Sequence, residues 1–263
     1  MYFASQILSF LLVAAIALQA PTDAFAGVPL KAIGTLLSGT KWVKLALPDA
    51  NIVELAELAS KPGGTKVVGE VLGKMKLPTE ALEDTYARIL IHQGKLPREE
   101  AEGMFSRLSG TPGMVSAMSK SIGVSAAKTA GHLNEVRIAD NAAQLNLKVK
   151  GIGVRFNDPH KAAPTDIDVL LEHRGREVAI EAKDYLPTTE IPLDSFRADM
   201  LSLAEYRRSK PEADVLPVFW ITNKPNDPNV WRSLEKAAEH YQVELIVGPP
   251  DEAIHQIPLL LRH

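Results

Sequence analysis

The sequence predicts an α/β fold for its C-terminal half, a mixed sheet flanked by helices, preceded by a small all-helical region. Three observations predict it. Residues 165–171 and 178–183 alternate apolar and polar side chains with period two, the signature of half-buried strands. His173-Arg174-Gly175-Arg176 joins them as a polar, glycine-containing connection of hairpin length. Downstream, helical and apolar stretches alternate: a helix over 193–209, an apolar strand over 215–222, a helix over 230–242 and a last strand over 243–247.

Taken in order, residues 7–20 are almost all apolar, and Ala24-Phe25-Ala26 before Gly27 is a small-x-small cleavage site, so residues 1–26 resemble a secretory signal and the chain is expected to be exported, periplasmic or secreted. The alternative is an inner-membrane anchor. Residues 1–9 hold no Lys or Arg whereas Lys31, Lys41 and Lys44 follow, which would leave an uncleaved chain with its C-terminal domain in the cytoplasm and the membrane as a partner. The apolar span is borderline in length for crossing a bilayer, and the cleavage site favours export.

Residues 27–127 read as a helical region of unassigned role. Leu82, Tyr86, Ile89 and Leu90 recur at helical spacing up to a stop at Gly94, and Pro97 opens a second helix over 98–108 with acidic residues in its first turn and Gly110 after it. Residues 61–65 and 109–113 are punctuation, the latter a candidate domain boundary, and residues 114–128 are expected to continue into the helix that carries Glu135. The C-terminal domain is expected over 128–263.

The strand pattern also carries the chemistry. In the first run Ile167, Val169 and Leu171 oppose Asp166 and Asp168; in the second, Val178, Ile180 and Ala182 oppose Ala179, Glu181 and Lys183. Antiparallel pairing brings Asp168 near Glu181. Two carboxylates held close in a partly dry site repel unless a cation neutralises them, and hard oxygen donors favour Mg²⁺ or Mn²⁺ over zinc. Lys183 points into the same space, able to orient a water or to stabilise developing charge.

These residues resemble the PD-(D/E)XK (restriction-endonuclease-like) nuclease superfamily. Gly131-His132-Leu133-Asn134-Glu135 is similar to its helix motif, Asp168 to its strand Asp, and Glu181-Ala182-Lys183 to its paired motif. The resemblance implies a restriction-endonuclease-like mixed sheet and a Mg²⁺-dependent endonuclease hydrolysing phosphodiester bonds of DNA. Asp168 and Glu181 would be metal ligands, Glu135 a further catalytic or metal-binding carboxylate, and Lys183 a neighbour of the attacking water. Pro164-Thr165-Asp166 aligns with the same motif, so Asp166 stands as the alternative to Asp168. RNA is the competing substrate, and a catalytically inactive binding or adaptor protein of the same fold is the alternative from another class. Arg197, Arg207 and Tyr185 are candidate nucleic-acid contacts; Arg208 reads as a solvated helix face and His132 as structural. The layout of leader, helical middle and C-terminal block resembles bacterial secreted nuclease toxins, which implies an immunity protein as partner.

Other chemistries find no support. The chain has no cysteine, which excludes thiol catalysis and thiolate metal sites. It has no Gly-x-Ser-x-Gly elbow, and Gly73-Lys74 is followed by Met75, which breaks a phosphate loop. A net charge of −3 gives no long-range pull on a polyanion, so binding nucleic acid requires a local basic groove and the metal.

Overall fold

Among the described residues five strands form one mixed sheet, in spatial order β1 (Lys148–Phe156), β2 (Thr165–His173), β3 (Arg176–Lys183), β4 (Val215–Ile221), β5 (Glu244–Val247). The structure is a computed structural model and describes residues 47–123 and 125–262. The leader-like segment and its cleavage site lie outside the described residues, among which no helix is long and apolar enough to cross a membrane.

The chain divides into two compact units, the first holding residues 47–106 with 122–123 and the second 107–121 with 125–262. The first is helical: α1 (Asp49–Ala59), α2 (Gly64–Met75), α3 (Thr79–His92) and most of α4 (Arg98–Leu108). α3 is buried from Glu83 to Leu90, and the buried Arg88 on it is neutralised by Asp84 at 3.2 Å and Asp49 at 2.7 Å. A buried cation left unpaired would cost several kcal/mol, on the order of 3–5.

The second unit begins with α5 (Met114–Ser121) and α6 (Ala126–Gln144). The expected single helix through residues 114–135 is two. The first stops at a turn over Ile122–Gly123, and Ser125 starts the second as its N-cap, accepting the amide of Lys128 at 3.4 Å. β1, which the sequence pattern does not announce, follows α6. It pairs antiparallel with β2 through a register shift between Val149 and Gly151, and the amide of Ile152 donates to the carbonyl of Pro112 at 2.9 Å.

The β2–β3 hairpin forms as expected, with Arg174 and Gly175 both at positive φ (54° and 86°), the geometry of a two-residue turn that matches strand twist. β3, β4 and β5 are parallel, linked by α7 (Leu193–Arg208) and α8 (Pro228–Tyr241), with short α9 (Pro250–Ala253) and α10 (Gln256–Leu260) closing the chain. β4 is buried at every position, because helices cover both faces of its parallel neighbourhood. Val215, Phe219 and Ile221 pack with Phe196, Met200, Leu203 and Tyr206 of α7 and Leu234 of α8. Each such side chain contributes about 1.5–3 kcal/mol of apolar burial. This core fixes α7 against the face of β3 that carries Glu177, Glu181 and Lys183, since those residues pair with Val215, Phe219 and Ile221.

Candidate active site

β2 and β3 pair from His173–Arg176 up to Val169–Ile180, and there the ladder ends. One step further, where Asp168 stands across from Glu181, the amide of Ala182 donates to Asp168 Oδ2 at 2.8 Å instead of to the β2 backbone. The carboxylate thus takes the place of a main-chain acceptor at the point where the strands part. β3 stays paired to β4 as far as Lys183–Ile221, so Glu181 and Lys183 are held from the other side.

The resulting electrostatics are unbalanced. Burial, then the charges of Glu181 and Glu135, push the Asp168 carboxyl well above the usual carboxylate range, against the opposing pull of Lys183 and the Ala182 amide. Glu181 is pushed up to about 7, first by burial and further by Asp199 and Glu135, with Lys183 offsetting part of the rise. Glu135 on α6 is therefore close enough for its charge to act on both strand carboxylates. Its own partner is His132, with Nδ1 3.4 Å from Oε1.

Lys183 is the counter-charge. Its ammonium donates to Glu181 Oε1 at 2.6 Å and sits 2.9 Å from Asp199 Oδ2, with a fifth of its side chain exposed. Burial works against the charge, but Glu181, Asp199 and Asp168 outweigh it and hold the ammonium above the ordinary lysine range. At any physiological pH it is a fixed cation, a donor and stabiliser of negative charge rather than a base.

Asp199 is a site residue that sequence reasoning missed. It lies one helical turn after Phe196, on the stripe of α7 that faces the sheet, and the only advance signal was that spacing from an apolar anchor. Its second oxygen is 3.9 Å from Lys161 Nζ. Lys161 belongs to the loop after β1, moored by Asp158, which accepts from the Ser202 hydroxyl at 2.6 Å and the His160 amide at 2.8 Å.

The structure thus brings Asp168, Glu181, Lys183 and, through its charge, Glu135 to one place. Asp166 stands at the same sheet edge, two residues along β2, near Lys120 and Arg155. The other candidates are placed elsewhere. Arg207 donates to the backbone and side-chain oxygens of Gln242 at 3.1 and 3.0 Å, tying the end of α7 to the end of α8. Arg208 pairs with Glu205. Arg197 donates to Asp194 at 3.2 Å on an exposed turn. Tyr185 packs edge-on against Phe196, ring centroids 5.4 Å apart, beside the core.

No family model and no curated protein matches this chain. The resemblance to restriction-endonuclease-like nucleases therefore rests on the motif residues and the order of elements.

By donor chemistry the site fits a hard divalent ion. Asp168, Glu181 and Glu135 offer carboxylate oxygens whose mutual repulsion is relieved by only one ammonium. Among the described residues no three His, Cys, Asp or Glu side chains are gathered closely enough to hold a metal ion by themselves. An ion held by one or two carboxylates and completed by water and substrate oxygens is the usual arrangement for Mg²⁺.

Proposed function

We propose that this chain is a metal-dependent endonuclease that hydrolyses phosphodiester bonds of DNA. The observation that carries the reading is the cluster of four carboxylates where β2 and β3 part: Asp168, Glu181, Glu135 and Asp199 around the Lys183 ammonium, with Lys161 reaching Asp199 alone. Strongly perturbed carboxylates clustered at the end of a sheet are a functional-site signature.

Asp168 and Glu181 would hold Mg²⁺ or Mn²⁺, with Glu135 supporting them. When bound, the ion supplies neutralisation of the phosphate and a more acidic water. The chain's own residues do the rest. The Ala182 amide fixes the Asp168 carboxylate, and Asp199 fixes the Lys183 ammonium. Lys183, permanently charged, donates to the oxygen on which negative charge develops.

The test is plasmid DNA incubated with the full chain and Mg²⁺, with and without EDTA, beside Lys183→Ala. Wild type nicks and linearises the plasmid, EDTA stops it, and the variant is slower by about a hundredfold or more. Equal cleavage by both proteins rejects the assignment of Lys183. Cleavage of RNA alone moves the substrate, and no cleavage of either leaves the inactive adaptor reading. Joined to the leader-like N-terminus, this chemistry suits an exported toxin guarded by an immunity protein. The mass of the mature chain checks the export: loss of residues 1–26 supports it, and an intact N-terminus returns the anchored form.

A further inference from the structure

One flank of the site carries cations with donors to spare. Lys120, near the end of α5, has its ammonium 3.7 Å from Asp166 Oδ2, and Arg155 on β1 has Nε 3.8 Å from Asp166 Oδ1. Both distances lie beyond hydrogen-bond reach. Neither side chain donates a hydrogen bond to any described residue, and their exposures are 43% and 82%. Two cations share one carboxylate, so this flank is net positive, whereas the carboxylate cluster beside it is net negative.

The backbone opens a path between the two. The β1–β2 register places Gly153 opposite Asp168, between the pairs Ile152–Val169 and Val154–Ile167. Gly153 has φ +63°, and a Cβ built on it would lie 3.9 Å from Lys120 Nζ. The lysine thus lies over the one residue of β1 at the level of Asp168 that has no side chain. A residue with a side chain there would pay the cost of a left-handed backbone and would bring its Cβ up to the Lys120 ammonium. Asp166 is two residues from Asp168 on the same face, about 7 Å along the strand. That puts Lys120 and Arg155 one pleat from the ligand carboxylates.

Resting on the nuclease reading, we propose that Lys120 and Arg155 are the substrate-positioning residues. They take the backbone phosphates of the nucleic-acid strand as it crosses Gly153 on its way to Asp168 and Glu181. Their shared ion pair with Asp166 is readily exchanged for a phosphate because exposed pairs at such distances contribute little. Arg207 gives two donors to Gln242 and Arg197 gives one to Asp194, whereas Lys120 and Arg155 donate none to the described residues.

The experiment is binding of a fluorescein-labelled DNA duplex by the full chain in EDTA, where nothing is cut, read by anisotropy over a series of NaCl concentrations. Variants are Lys120→Gln, Arg155→Gln, the pair together, and Arg208→Gln as a control cation elsewhere on the surface. Each phosphate that is no longer neutralised makes the slope of log affinity against log salt shallower by about 0.9, so the slope of the double variant falls by about 2 and that of the control does not change. A double variant with the wild-type slope overturns the proposal. If that protein still cuts plasmid with Mg²⁺, the nuclease reading stands without it. A wild type with no salt-dependent binding overturns the proposal as well, and the plasmid assay then decides separately whether the nuclease reading falls too.

Discussion

β3 carries two glutamates on the same face, four residues apart, and they live in opposite environments. At the start of the strand Glu177 is buried, yet its carboxyl is held below the usual range. Burial pushes it up, and hydrogen bonds from Lys150 and Lys210, with their charges, outweigh the push. Lys210 also donates to the Tyr206 hydroxyl, and Lys148 and Lys150 cover Glu172 across the hairpin. At the end of the strand Glu181 shares Lys183 with Asp168 and Asp199, has the charge of Glu135 nearby, and is pushed up to about 7. The first cluster is neutralised by the protein itself and serves the fold. The second has less positive charge around it and its carboxyls are raised, the pattern expected of the ion-binding and catalytic site proposed above rather than of a structural ion network.

Substitutions at the two ends should therefore act in opposite senses. The largest effect is the loss of about a hundredfold or more in cleavage rate for Lys183→Ala. Next is Glu181→Gln, which should slow cleavage yet stabilise the metal-free fold at pH 8 by up to about 3 kcal/mol. The sign follows from linkage. A carboxyl raised from 4.5 to about 7 in the folded state costs nothing below pH 4.5, destabilises progressively as pH rises to about 7, and adds no further loss above that. Urea unfolding in EDTA across that window should show wild-type stability falling more steeply than that of the variant, in which Asp168 still carries a raised carboxyl. An unchanged curve would break the contrast.

Smaller and opposite is Glu177→Gln, expected to cost about 2 kcal/mol at pH 7, since its lysines are a third exposed and screened. Because the Glu177 carboxyl is lowered on folding, its contribution is present above the ordinary carboxylate range and is lost as pH falls below it. The urea midpoint of the variant should fall at neutral pH, with plasmid cleavage retained and the acid side of the stability profile flattened. A variant as stable as wild type would make the two glutamates equivalent after all.

The Glu181 end of this contrast was legible beforehand where it depends on local period, and the Glu177 end was not. Alternation put Asp168, Glu181 and Lys183 on one face, and Arg174-Gly175 set the register that brings them opposite one another. The α7, β4, α8 and β5 segments were legible because their apolar patterns are long and clean. β1 was not, since Lys148, Lys150, Gly151 and Gly153 dilute its apolar residues and it is recognisable as a strand only once β2 is beside it. The break after Ser121 turns on a cap at Ser125 that an Ala- and Ser-rich run conceals. Asp199, Lys120 and Lys161 stayed hidden for a different reason. Each sits far along the chain from the residue it serves, and only the packing of α5, α7 and the 157–164 loop against the sheet brings them to it.

The irregularity of β1 has a further consequence, for how copies of the molecule behave toward one another. As a border strand it could offer main-chain donors and acceptors to a neighbour, but its bulge at Val149–Gly151, the positive φ of Gly153, the Ile152 amide already donated to Pro112 and the charged Lys148 and Arg155 interrupt that offer repeatedly. β5, at the opposite border, is four residues long. Neither rim gives a second molecule a straight, unclaimed stretch on which to extend the sheet, so crowding of this protein should not seed fibrils through its strands.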